Sequence, residues 1–105
     1  MAGATAIVRR NHIHDGGGWG VWVGDGEGLI EDNDITRNGL SGISVNTGAT
    51  ATARRNRITQ NKQQGIAVWD GGGVFEDNDL RQNEGGAWYI ADSCADEVRR
   101  RDNQE

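Results

Sequence analysis

Apolar residues in this chain come in short alternating pairs. Val21 and Val23, Ile43 and Val45, Ile66 and Val68, and Trp88 and Ile90 each flank one intervening residue, and successive pairs are offset by 22 or 23 positions. Alternation with a period of two belongs to strands buried on one side, not to helices. Single apolar positions recur at the same offset: Ile13, Ile35, Ile58 and Leu80 form one series, and Val8, Ile30, Ala53 and Phe75 form another. Continuing the second series by 23 reaches Val98. Each repeat is therefore predicted to hold three short strands joined by three turns.

Polar positions keep the same phase. Asn11, Asn33, Asn56 and Asn78 stand two residues before the first apolar series, at intervals of 22, 23 and 22, and a further 23 lands on Arg101. A unit of this size cannot bury its apolar side alone, whereas copies coiled on one another can. The pattern predicts an all-β, single-stranded parallel β-helix, a solenoid of about four full coils plus partial terminal coils. A leucine-rich repeat has a similar period but needs several leucines per unit, and only Leu29, Leu40 and Leu80 are present. An antiparallel sandwich would not require asparagine at one phase of every repeat. The marker asparagines are expected to stack as a ladder of side-chain amides at a tight corner, where asparagine also tolerates left-handed backbone angles. Asn38, Asn61 and Asn83 mark a second corner, and Gly20, Gly42 and Gly65, with Ala87 in the last repeat, precede the strands that follow.

Composition agrees with a thin core. Of 105 residues 34% are hydrophobic, 17 are glycine and none is proline. The chain is expected to form one domain over residues 1–105, a module or fragment of a longer protein. The charges just before each marker alternate: Arg9-Arg10, Glu31-Asp32, Arg54-Arg55, Glu76-Asp77 and Arg99-Arg100. Coiling should place every acidic rung between two basic ones on the outer surface, favouring correct register over a slip of one coil. Both terminal rungs would be basic. That disfavours endless head-to-tail stacking and leaves a bounded homo-oligomer through the coil ends as an expectation.

The alternation makes the true repeat double. "GATATARRN" from Gly48 echoes "GATAIVRRN" from Gly3, and "VFEDNDL" echoes "LIEDNDI", both at an offset of 45. Together with "NDITRNGLSGISV", "NRITQNKQQGIAV" and "EDNDLRQN", this resembles the carbohydrate-binding and sugar-hydrolysis repeats of the right-handed β-helix family, which includes NosD-like proteins and the β-helix regions of F-box proteins. The resemblance covers nearly the whole chain and implies a right-handed coil. It also implies a functional range from polysaccharide lyases and epimerases to non-enzymatic recognition modules.

Catalytic signals are weak. The lyases of the family, as the resemblance implies, gather calcium-binding carboxylates beside a basic residue, but here the clustered acids alternate with arginines. Asp25, Asp70 and Asp92 share a turn register that Thr47 interrupts, and Glu27 is isolated. The family's epimerases carry an Asp-Pro-His-Glu motif, which a chain without proline cannot contain. His12 and His14 in "HIHD" form a His-x-His pair with no evident third ligand. "DGEG" and "WDGGG" lack a P-loop lysine and a following helix. No catalytic residue, metal or other cofactor is expected.

Recognition is better supported. Trp22 and Tyr89 share an outward register with Ser44 and Ala67 between them, and Trp69 lies two positions along in the third coil. Trp22, Trp69 and Tyr89, with Asn46 and Asp70 as polar neighbours, form the candidate ligand site, a shallow trough for sugar rings or an extended peptide. Trp88 belongs to an interior series and is expected in the core. Trp19, in the flexible glycine-rich turn "DGGGWG", has no assigned place. The leading reading is a non-catalytic scaffold or recognition module for protein or polysaccharide. The alternatives are a fragment of a carbohydrate-active enzyme and a structural spacer.

A formal charge of -5 gives no reason to expect nucleic acid or an anionic membrane as partner. No stretch is long and apolar enough to span a bilayer, and residues 1 to 20 hold no apolar run of signal-peptide length. The single cysteine, Cys94, fits a reducing compartment, so a cytoplasmic location is slightly favoured. The segment "SCADEVRRRDNQE" reads either as a fifth-coil strand around Val98 or as a capping helix opened by Ser93 with Glu97 nearby; the phase of Val98 favours the strand.

Overall fold

The computed structural model describes residues 5–105, so the Gly3-Ala4 start of the "GATAIVRRN" echo lies outside the described residues. Among the described residues, twelve short strands wind into three parallel sheets. The first sheet stacks β1 (Thr5–Arg9), β4 (Glu27–Glu31), β7 (Ala49–Arg54), β10 (Gly71–Glu76) and β12 (Val98–Arg101). The second holds β2 (His12–His14), β5 (Asp34–Thr36) and β8 (Arg57–Thr59). The third holds β3 (Val21–Val23), β6 (Ile43–Val45), β9 (Ile66–Val68) and β11 (Trp88–Ile90). Each strand pairs with its equivalent one coil away, at the expected offsets of 22 and 23 except between β10 and β12. Val8 lies beside Ile30, Ile35 beside Ile58, and Ile43 beside Ile66.

The interior is narrow because each coil sends only a few apolar side chains inward. Ile30, Ala53 and Phe75, Ile35 and Ile58, and the Ile43–Val45 and Ile66–Val68 pairs are all fully buried, with Leu80 nearly so. Coils approach closely where the sequence omits a side chain. A Cβ on Gly42 would lie 2.3 Å from Ile58 Cγ2 and 2.8 Å from the Gly65 carbonyl. Gly71-Gly72-Gly73 forms strand and not turn. Gly71 and Gly73 have φ of +124° and +142°, and a Cβ on either would meet the backbone of Ala49 or Ala51 at 2.1 or 1.8 Å.

The asparagine ladder extends through the fifth coil. Nδ2 of Asn33, Asn56 and Asn78 donates to Oδ1 of Asn56, Asn78 and Asn103, each at 3.0 Å. The same nitrogens donate to the carbonyls of Val8, Ile30 and Ala53 in the preceding coil. Oδ1 of Asn56 accepts from both the backbone and the side-chain nitrogen of Asn33. An asparagine side chain has two donor hydrogens and two acceptor lone pairs, and Asn56 uses all four. The second column repeats the scheme through Asn38, Asn61 and Asn83, and Asn38 Oδ1 also accepts from Gly16 N.

The left-handed residue at each corner is not the asparagine but the one before it. Arg10, Asp32, Arg55, Asp77 and Asp102 have φ between 54° and 58°, and Arg37, Gln60 and Gln82, with φ between 54° and 65°, stand ahead of the second column. The turn thus frees the asparagine to point inward with ordinary backbone angles. The strain of the left-handed residue, about 1 kcal/mol or more, is offset by the saturated amide beneath it.

Alternating charge also holds, with one rung changed. Glu31 is only 6% exposed and lies between Arg9 at 3.4 Å, Arg54 at 3.0 Å and Arg55 at 3.3 Å. Asp32 pairs with Arg55 and Asp34 with Arg57. The fifth rung is not Arg99-Arg100. The corner between β11 and β12 folds into a 3-10 helix, Asp92–Glu97, which lengthens the marker interval to 25 and moves the marker from Arg101 to Asn103. Val98 consequently sits beside Gly73, Arg100 replaces it beside Phe75, and Arg101 bonds Glu76 at 2.9 Å. The terminal rung is Arg101-Asp102, so the two ends do not present matching basic rungs. Helix and strand coexist in this segment. Ala91, not Ser93, is the N-cap, with no side-chain cap bond, and the helix buries Cys94.

Asn56→Ala should destabilise the fold by about 3–5 kcal/mol, because it strands the buried Asn33 donors and removes one of the two donors to Asn78 Oδ1. Chemical denaturation would read this against exposed Gln63→Ala, expected within about 0.5 kcal/mol of wild type. Asp15 is held down at about 2 from 3.8, first by the Arg37 hydrogen bond and then by His14, while Arg55 lowers Asp32 and Arg81 lowers Asp79. A depressed carboxyl supports folding above its unfolded value and loses that support as pH falls through the folded one. Thermal midpoints should therefore drop between about pH 4 and pH 2, and Arg37→Gln should raise the Asp15 midpoint in an NMR titration.

Candidate functional site

Side chains that alternate away from the interior form three outer faces. On the five-stranded sheet the outward columns are Arg9–Glu31–Arg54–Glu76–Arg101 and Ile7–Leu29–Thr52–Val74–Arg99. Shallow grooves run there, one lined by Glu27, Gly28, Leu29, Thr50 and Thr52 and another by Val74, Glu76, Arg99, Arg100 and Arg101. The three-stranded sheet presents His12, Asp34 and Arg57 in one row. His12 and His14 stack with ring centroids 4.1 Å apart, and they pair with Asp34 and Asp15 respectively. Among the described residues no group of three or more His, Cys, Asp or Glu is placed to hold a metal ion.

The third face carries the aromatic residues. Trp22, Ser44, Ala67 and Tyr89 are consecutive partners across β3, β6, β9 and β11, in the register read from the repeats. Trp69 follows β9 directly. Its backbone N–H donates to Val45 O at 2.9 Å, and its ring lies 4.4 Å from Tyr89 at an interplanar angle of 37°. Trp22 is 53% exposed, Trp69 49% and Tyr89 37%. The large apolar surface left in water here makes this face the candidate site.

Trp19 joins the site from the glycine-rich turn. Its ring centroid is 6.5 Å from that of Trp22, at 47°. The face therefore carries two aromatic pairs, Trp19 with Trp22 at one end and Trp69 with Tyr89 at the other. Trp22 and Tyr89 are three strand spacings apart, about 14 Å. The Trp22 indole lies over Gly24, where a Cβ would be 1.9 Å from its Cζ3. That glycine has no positive φ to require it, so the close approach of the ring explains it. Nothing in the repeat marked Trp19, because it precedes the strand and has no equivalent in other coils.

The floor differs from an open trough. Ser44 and Ala67 are 1% and 0% exposed, and Asn46 Nδ2 donates to Ser44 Oγ at 2.9 Å, laying its amide beside the floor. A partner would meet ring faces and not the strand backbone. Asp70 is exposed at the corner beside Trp69 and makes no ion pair among the described residues. Trp88 is only half-buried. It packs edge-on against Phe75, lies under the Arg100 guanidinium, and donates Nε1–H to Glu105 at 2.7 Å.

The family model for the right-handed beta helix region matches residues 1–104. No curated protein and no solved structure matches the chain. Among the described residues no helix is long and apolar enough to cross a membrane.

Proposed function

Because the chain belongs to the right-handed β-helix family, we propose that it is a non-catalytic recognition module whose aromatic face binds an extended segment of protein or polysaccharide. One observation carries the reading: four exposed rings, Trp19, Trp22, Trp69 and Tyr89, gather on one face of the solenoid, two from its strands and two from the adjoining turns. The supporting logic is mechanical. Short strands stacked in strict register hold the two ring pairs at a fixed separation, so little conformational entropy remains to be lost on binding. Rings exposed by a third to a half stack on apolar sugar faces or grip a peptide. Asn46 and Asp70 supply hydrogen-bonding groups at the margin.

Glycan-array and peptide-library binding of wild type against Trp22→Ala and Trp69→Ala tests this reading. Each substitution should weaken the detected interaction about tenfold or more, while the exposed location of both rings leaves the thermal midpoint nearly unchanged. Gly24→Ala keeps every atom of Trp22 but evicts its indole from the observed seat, and should lower affinity in the same assay. Interactions untouched by all three substitutions would reduce the face to packing.

A further inference from the structure

Among the described residues, the face that carries the rings carries no Lys or Arg. All 11 Lys and Arg residues lie outside residues 11–36, 38–53, 63–80 and 82–98, the four tracts that contain β3, β6, β9 and β11 and much of the corner after each. Acids are distributed the other way. Glu31, Asp32, Asp34, Glu76 and Asp79 on the charged ladder, with Asp15 and Glu84 near the second corner, are each held in ion pairs. Asp25, Asp70, Asp92, Asp96 and Glu97, all exposed, stand on the links that leave the aromatic sheet, and none of them forms an ion pair among the described residues. The net charge of -5 is thus concentrated beside the aromatic sheet.

We infer that the occupant of the aromatic face is an extended, arginine- or lysine-bearing peptide segment, not an acidic polysaccharide. The inference rests on the recognition reading above and names its ligand. Exposed indole and phenol faces attract guanidinium and ammonium groups by about 0.5–1 kcal/mol each, and more once water is excluded. Unpaired carboxylates along the adjoining corner add complementary potential, raise the association rate and repel uronate or sulfate groups. The geometry also sets a spacing. An extended chain running along the stack advances about 3.4 Å per residue, so side chains at i and i+4 are about 13.6 Å apart on the same side, close to the roughly 14 Å between Trp22 and Tyr89. Cationic residues at i and i+4 meet both ring pairs. Residues at i and i+3 point to opposite sides of the peptide and cannot.

The test is a two-dimensional NMR titration of the indole N–H signals. The probe is an end-capped ten-residue peptide of glycine and serine with arginine at positions 3 and 7. Trp22, Trp19 and Trp69 should shift while Trp88, turned inward and bonded to Glu105, stays fixed. Citrulline at both positions, which keeps the shape without the charge, should bind at least fivefold more weakly. Moving the second arginine to position 6 should also weaken binding at least fivefold. Triple replacement Asp25→Asn, Asp70→Asn and Asp92→Asn should weaken the arginine peptide severalfold and leave any neutral glucan oligosaccharide unaffected. Shifts with the oligosaccharide but not the arginine peptide would overturn the cationic occupant and leave aromatic recognition standing. Equal binding of the citrulline peptide would do the same. Silence of the three tryptophans toward every probe would overturn both.

Discussion

Every coil of this protein must turn tightly at two corners where backbone polar groups point inward, away from water. From the second coil onward, stacked side-chain amides resolve that constraint. An interior rung such as Asn56 satisfies the rung above, the rung below, a backbone N–H and a neighbouring carbonyl, with no bonding capacity left over. Because each amide is both donor and acceptor to its neighbours, the column works only when coils are in exact register. The apolar series and the charge alternation depend on that register and reinforce it. A slip of one coil would put arginine over arginine and aspartate over aspartate.

The thinness of the core follows from the same arrangement. Strands of three residues send only one or two apolar side chains each into the interior, so stability comes from the number of coils and from hydrogen bonds between them more than from apolar volume. Strain is located accordingly. Left-handed residues stand just ahead of each amide column, and glycines stand where a side chain would strike the next coil. The charge ladder occupies the outer faces of the other two sheets, and the exposed rings stand on the third.

Much of the architecture was legible because coil stacking converts sequence offset directly into spatial adjacency. The four apolar series, both asparagine columns and the alignment of Trp22 with Tyr89 all follow from offsets of 22 and 23, except that Asn11 is exposed, turns its amide to Arg9 O and meets the ladder only through its backbone N–H. What could not be read depended on deviations from that offset. The 3-10 turn at Asp92–Glu97 adds two residues to the last interval, so Val98 kept the phase of the count but not the place in the sheet, and Asn103 took the marker position. The left-handed angle was expected on asparagine, the residue type that best tolerates it, yet the inward aim of the amide requires that angle one residue earlier. Trp19 was unassigned because a turn residue without counterparts has no offset to compare. The uneven placement of cations was present in the sequence, but it becomes a surface only when the coils are stacked.

Amide hydrogen exchange of the ladder measures the central claim most directly. The backbone N–H groups of Asn33, Asn56 and Asn78 and the side-chain N–H groups of Asn56 and Asn61 are all engaged between coils. These protons should exchange only through global unfolding, with protection that matches the denaturation free energy and vanishes together in Asn56→Ala. Exchange at the rate of exposed loop amides, while the strands remain protected, would contradict the account and show that the coils keep their register without the asparagine columns.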